Sequence, residues 1–119
     1  MGRRDAPVLL VDDDRTTADL YALKLRLDGL TVVLAHGYQS ALDVYERERP
    51  RVVCVDHRLP DGPGAELSED LAARGAAVIL LTNDQETVQR PPAGVREARL
   101  KARTSPAELS GAVRALLGE

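Results

Sequence analysis

The sequence predicts an α/β domain built on a doubly wound, five-stranded parallel sheet in the order 2-1-3-4-5, with helices on both faces. Short runs of aliphatic residues recur along the chain, and amphipathic segments of helical length separate them. Continuous apolar runs of this kind are typical of parallel strands that are buried on both faces. Strand–helix alternation implies right-handed crossovers between parallel neighbours, which favours the flavodoxin-like arrangement among doubly wound folds.

Each predicted element follows from local signals in the sequence. Strands are predicted at residues 8–11, 31–35, 52–55, 77–81 and 98–100, and helices at 16–28, 40–49, 64–74 and from 105 onward. Asp14 is placed to cap the first helix. The spacing of Leu20, Leu23 and Leu27 predicts that they form the buried stripe of that helix. The fourth helix, over 85–90, is predicted to be short or irregular because two prolines follow it.

Length and composition restrict the class of protein. A chain of 119 residues is predicted to form one domain over 1–119, with its core at about 8–117. A net charge of −3 provides no basic field for direct nucleic-acid binding, and no apolar run is long enough to span a membrane. The single cysteine, Cys54, cannot form an internal disulfide and is expected in the core, so a cytoplasmic location is expected.

Polar residues follow four of the predicted strands where those strands end. Asp12 and Asp13 follow the first strand, Asp56 the third, Thr82 the fourth and Lys101 the fifth. Ligands of open α/β sheets bind beyond the carboxyl ends of the strands, so these side chains are predicted to converge. Lys101 is one of only two lysines among 16 basic residues, which argues against an incidental surface position.

This set of groups suits phosphoryl transfer. Clustered carboxylates require a counter-ion, and Mg²⁺ is the hard cation that combines such oxygens with phosphate. Asp56 is the candidate nucleophile, a carboxylate that would form an acyl phosphate. Thr82 and Lys101 would each hold one oxygen of the phosphoryl group, since catalysis of this reaction is largely positioning and charge neutralisation.

Four segments in register resemble response-regulator receiver domains. They are Val-Asp-Asp-Asp at 11–14, Val-Asp-His-Arg-Leu-Pro-Asp-Gly at 55–62, Leu-Leu-Thr at 80–82 and the lysine at 101, and the likeness extends from Val8 to Leu117. The resemblance implies that Asp13 binds Mg²⁺ directly, Asp12 chiefly through water, and Asp56 both directly and as the phosphorylation site. It also implies that Arg58 contributes its backbone carbonyl to the metal, that Thr82 is a switch hydroxyl and that Lys101 binds phosphate.

The resemblance also implies a role in a two-component phosphorelay. The phosphoryl donor would be a histidine kinase or a phosphotransfer protein, and the domain would be a signalling module rather than a metabolic enzyme. The output domain or downstream partner is left open, as is a phosphorylation-dependent homodimer.

Three positions depart from the family pattern. Ala102 replaces the usual Pro after Lys101, which leaves the isomer of that peptide bond open, since a cis bond without Pro costs about 2.5–4 kcal/mol. Ala98 stands where a Tyr or Phe is usual, so the aromatic rotamer switch is absent. Asn83 replaces a small residue beside the phosphoryl entrance and, with Arg58, is expected to hinder water and slow dephosphorylation.

Two alternative functions compete with this interpretation. A degenerate receiver that acts as a phosphorylation-independent interaction module is motivated by Ala98, Ala102 and the short fourth helix. A phosphatase of the haloacid dehalogenase type is rejected, because Arg58 stands where that class needs its acid/base Asp. The remaining polar candidates are interpreted as loop, turn or cap residues: His36, His57, Asp61 and Asp84.

Overall fold

The computed structural model describes residues 6–118, so both ends of the predicted 1–119 domain lie outside the described residues. The strands are β1 (Val8–Val11), β2 (Val32–Ala35), β3 (Val52–Asp56), β4 (Ala77–Thr82) and β5 (Glu97–Leu100). The helices are α1 (Arg15–Leu27), α2 (Tyr38–Glu48), α3 (Gly64–Ala73), α4 (Gln85–Gln89) and α5 (Pro106–Leu116). A 3₁₀ turn covers Lys101–Arg103, and Arg58–Leu59 pairs with Gly62–Pro63 in a short antiparallel ladder.

The five strands form one parallel sheet in the order β2-β1-β3-β4-β5, which confirms the predicted topology. Strand β1 lies between β2 and β3, and β3 lies between β1 and β4. In register, Val11 pairs with Val55 and Asp56 pairs with Leu81. The carboxyl ends of β1, β3 and β4 therefore lie side by side.

Alternate residues of each strand supply two hydrophobic cores, one on each face of the sheet. Leu9, Val53 and Leu80 face α2 and α3, whereas Leu10 and Ile79 face α1 and α5. Because both faces are covered, β1 and β2 are apolar throughout, and β3 and β4 are apolar up to the Asp56 and Thr82 that end them. The edge strand β5 alternates polar and apolar residues instead. Cys54 belongs to the core on the α1–α5 side, and burial raises the pKa of its thiol to about 12, so it packs as a small hydrophobe.

Helix α1 uses a different face from the one predicted. The predicted stripe is exposed: Leu20 and Leu23 are each 55% exposed and Leu27 is 72% exposed. The buried side chains are instead Ala18, Tyr21, Ala22 and Leu25. Small alanines let the helix approach the sheet closely, and the Tyr21 hydroxyl donates a hydrogen bond to the Thr104 carbonyl (2.8 Å), which fixes this rotation.

Helix α4 is a single short segment of five residues, as predicted, and none of them is buried. Asp84 caps its start by accepting from the Glu86 amide (3.3 Å) and the Thr87 hydroxyl (2.6 Å), which confirms its interpretation as a cap acid. Within the described residues, no helix is both long enough and apolar enough to cross a membrane.

Candidate phosphoryl and metal site

Three carboxylates meet at the carboxyl ends of β1 and β3. Asp12 and Asp13 follow β1, and Asp56 is the last residue of β3. One oxygen from each residue lies within 4.8 Å of the other two. Asp12 and Asp56 are buried, whereas Asp13 is exposed. The sheet order thus brings together the three acids that the sequence predicted as neighbours.

Local hydrogen bonds fix the acidic segment after β1. The Asp14 amide donates to Asp12 Oδ1 (3.0 Å), and the His36 ring donates from Nδ1 to the Asp12 carbonyl (2.8 Å). Asp14 itself accepts from the Thr16 amide (3.2 Å) and the Thr17 hydroxyl (2.8 Å), so it caps α1 as predicted. The cap turns Asp14 away from the carboxylate cluster and leaves Asp12 and Asp13 to face it.

Lys101 reaches both buried carboxylates. Its Nζ lies 2.8 Å from Asp12 Oδ2 and 3.3 Å from Asp56 Oδ2. Burial acts to lower the pKa of Lys101, but hydrogen bonds to the two carboxylates and their charges outweigh it, so the pKa is raised. For Asp56, burial and the charge of Asp12 raise the pKa, and the charge of Lys101 only partly opposes them. The ammonium therefore partly neutralises an otherwise repulsive cluster.

The Lys101–Ala102 bond is trans, like every peptide bond in the described chain. The Ala102 amide donates a hydrogen bond to Asn83 Oδ1 (2.9 Å), an interaction that a proline at 102 could not make. Two of the three departures from the family pattern thus form one contact. It ties the 3₁₀ turn that carries Lys101 to the segment that follows Thr82.

Thr82 ends β4 with a buried side chain whose Oγ1 accepts from the Asp84 amide (3.0 Å). The same oxygen lies 2.5 Å from Nδ1 of His57, the residue after Asp56. The sequence pattern indicated only a loop or turn role for His57 and did not predict this contact. A signal was available, because His57 directly follows a strand whose neighbour, β4, ends in a hydroxyl residue.

The loop after Asp56 is held by close backbone packing. The Gly64 amide donates to the His57 carbonyl (2.8 Å), and a side chain at 64 would collide with the Asp56 carbonyl. Asp61 caps α2 from outside, accepting from the Tyr38 amide (2.6 Å) and the Gln39 amide (3.1 Å). These contacts confirm the prediction that Asp61 is a cap acid, and they anchor the loop to α2.

An open cavity of about 730 Å³ adjoins the cluster, and the loop after β3, the end of β4 and Lys101 line it. The site fits a hard divalent cation, since its ligands are three carboxylates. Asp12 Oδ2 and Asp56 Oδ2 both contact the Lys101 ammonium, whose one positive charge offsets only part of the three negative charges. This set of carboxylate oxygens with residual negative charge fits Mg²⁺. The predicted role of the Arg58 carbonyl stays a prediction.

Sequence and structural comparisons agree with this site. Residues 8–99 match the response regulator receiver domain family, and the chain belongs to that family. It is therefore a receiver module of two-component signalling rather than a metabolic enzyme, as the sequence predicted.

The chain matches a part of one relative and almost the whole of two others. The chain is 32% identical over 89 residues to the response regulator MprA of Mycobacterium avium, which is 74% of this chain and 39% of MprA. The chain thus spans well under half of this curated relative. The receiver domain of RstA from Klebsiella pneumoniae, in a BeF₃-activated structure, is 29% identical with a TM-score of 0.83, covering 95% and 99% of the two chains. A CheY-like receiver from Methanospirillum hungatei is 27% identical with a TM-score of 0.84, covering 94% and 93%.

Proposed function

We propose that this receiver accepts a phosphoryl group on Asp56 from a histidine kinase or phosphotransfer protein, in a reaction that requires Mg²⁺. The observation that carries the proposal is the convergence of three carboxylate oxygens within 4.8 Å, with the Lys101 ammonium 3.3 Å from Asp56. A carboxylate nucleophile, a metal-binding acid pair and a cation are the groups that phosphoryl transfer to an aspartate needs.

In the proposed reaction, an Asp56 carboxylate oxygen attacks phosphorus in line with the bond to the donor. A new P–O bond forms while the P–N bond of a donor phosphohistidine breaks, and its electron pair leaves with the imidazole. When bound, Mg²⁺ would neutralise charge on the phosphoryl oxygens and on the carboxylates of Asp12, Asp13 and Asp56. The Arg58 carbonyl is the proposed fourth protein ligand.

Two side chains take part as charge develops on the phosphoryl group. Lys101 already contacts Asp56 Oδ2, so its ammonium is close enough to contact a phosphoryl oxygen as negative charge develops there. Thr82 stands at the end of the neighbouring strand, where its hydroxyl can donate to another oxygen. Asp56 reacts only as the carboxylate, and the Lys101 charge favours that form against burial and the Asp12 charge.

A beryllofluoride titration tests the proposal, since this phosphoryl mimic occupies an aspartate only where the metal and cation are in place. We expect wild type to bind it in the presence of Mg²⁺, and Asp56→Asn to fail to bind it. The BeF₃-activated state of the Klebsiella pneumoniae relative supports this choice of probe. Uptake by Asp56→Asn equal to that of wild type would refute the assignment. No uptake by a folded wild type would favour the phosphorylation-independent alternative.

The exposed stripe of α1 supports a protein donor. Leu20, Leu23 and Leu27 lie on one face of the helix that starts directly after the acidic segment, and contiguous exposed apolar residues of this kind mark interaction surfaces. Leu23→Lys should slow phosphorylation by the fastest donor in a panel of purified histidine kinases. Its rate with acetyl phosphate should equal that of wild type, because the small donor needs no docking surface. Equal rates with the kinase as well would contradict a role for the stripe.

A further inference from the structure

The Thr82 hydroxyl has one available hydrogen-bond acceptor among the described residues. Thr82 is 1% exposed, so water does not satisfy its hydroxyl group. The Asp84 amide, 3.0 Å from Oγ1, can only donate and cannot take that proton. Nδ1 of His57, at 2.5 Å, is the one acceptor that contacts the hydroxyl in the described part of the chain. Buried hydroxyl groups are almost always hydrogen-bonded, so the proton points to Nδ1.

We propose that His57 is a positioning residue that holds the Thr82 hydroxyl in the resting state and competes with the phosphoryl group for its proton. The inference rests on the proposed function, in which Thr82 donates to a phosphoryl oxygen on Asp56. The hydroxyl has a single proton. That proton can bond to a phosphoryl oxygen only after its hydrogen bond to Nδ1 breaks, so phosphorylation releases the imidazole of His57.

The position of His57 suits this role. It directly follows Asp56, and its carbonyl accepts from the Gly64 amide (2.8 Å), so its backbone is fixed while its ring faces the cavity. Ala98 on β5 packs into the core and carries no ring that could follow Thr82. The His57 ring is therefore the group that changes partners when Thr82 moves, and His57 lines the cavity beside the site.

A double-mutant cycle measures the competition. His57→Phe keeps a ring of similar size and removes the acceptor. We expect it to bind beryllofluoride with Mg²⁺ roughly three- to tenfold more tightly than wild type, the range that one net hydrogen bond provides. In a Thr82→Ala background the same substitution should change affinity less than about twofold, because no hydroxyl remains to be released. A purely structural effect of the ring would persist in that background.

His36→Phe is the matched control, since it removes the other imidazole near the site, which bonds to the Asp12 carbonyl instead of Thr82. Its effect should be the same with and without Thr82. Nitrogen NMR of the wild-type ring adds a test without substitution: Nδ1 should be unprotonated at rest and lose its hydrogen bond when beryllofluoride binds. Unchanged or weaker binding by His57→Phe, or a protonated Nδ1 at rest, would overturn the competition. Failure of wild type to bind beryllofluoride at all would instead overturn the proposed function.

Discussion

At position 64 the chain has no room for a side chain, because a methyl group there would collide with the backbone oxygen of Asp56, the proposed phosphoacceptor. Gly64 also begins α3, so the helix and the end of β3 are packed backbone to backbone at this point. The requirement is one of space, since Gly64 does not adopt a positive φ. The absence of a side chain at 64 therefore lets α3 begin directly against the backbone of Asp56.

Gly64→Ala should lower the free energy of unfolding by about 1–3 kcal/mol, the usual cost of forcing extra atoms into a packed site. Gly111→Ala is the matched control, because a methyl group at that helical position meets nothing within 4 Å. It should raise stability by about 1 kcal/mol, the difference in helix propensity. Urea unfolding of both variants measures the two changes, and equal effects of the same sign would contradict the packing argument.

Asn83 has a structural role that its sequence position did not reveal. The sequence suggested that its bulk hinders water, but its side chain is engaged with the Ala102 amide (2.9 Å) and so positions the turn that carries Lys101. We expect Asn83→Ala to shorten the half-life of the phosphorylated domain about two- to tenfold, because one hydrogen bond that positions the cation is lost. Asn83→Asp keeps the acceptor oxygen and should retain most of the half-life. A half-life unchanged in Asn83→Ala would exclude this role.

At the scale of elements, the loop after β3 is coupled to α2 through Asp61. Hydrogen bonds from the Tyr38 amide, and then from the Gln39 amide, lower the pKa of Asp61 below its ordinary value of 3.8. The folded domain thus holds Asp61 ionised at pH values where the unfolded chain takes up a proton. This contribution to stability is complete above the ordinary pKa and is lost as the pH falls through the lowered value.

Asp61→Ala should therefore destabilise the domain at pH 7, and its stability should converge on that of wild type as the pH falls below about 4. Asp19→Ala removes an exposed carboxylate from α1 and serves as the comparison. It should not destabilise the domain at pH 7, because Ala is the better helix former. Urea unfolding between pH 3 and 7 provides the measurement. A pH-independent difference between Asp61→Ala and wild type would show that the cap does not depend on the negative charge of Asp61.

Helix α1 shows where sequence patterns fail at this scale. Two stripes of the helix have apolar spacing, and the prediction chose the larger leucines over Ala18, Tyr21 and Ala22. Size is a poor criterion when a helix must approach a sheet closely. The choice between the stripes depends on distant partners, such as the Thr104 carbonyl that Tyr21 contacts, and local periodicity contains no information on them.

At the scale of the whole molecule, strand order determines which residues meet at the site. Residues distant in sequence, such as Asp12, Asp56 and Thr82, become neighbours because β1, β3 and β4 are adjacent and parallel. Hydrophobic runs and their polar ends were sufficient to predict this convergence. The His57–Thr82 and Asn83–Ala102 contacts were not predictable in this way, since they depend on side-chain rotamers and loop conformation rather than on periodicity.

Intact-mass spectrometry after incubation with acetyl phosphate tests the central claim most directly. With Mg²⁺, wild type should gain the mass of one phosphoryl group, and peptide mapping should place it on Asp56. Asp56→Asn should gain none, Asp13→Ala should react at least tenfold more slowly through loss of a metal ligand, and excess chelator should abolish the gain in wild type. A full phosphoryl adduct on Asp56→Asn, or undiminished reaction of wild type in chelator, would contradict the assignment of Asp56 and its metal-binding neighbours.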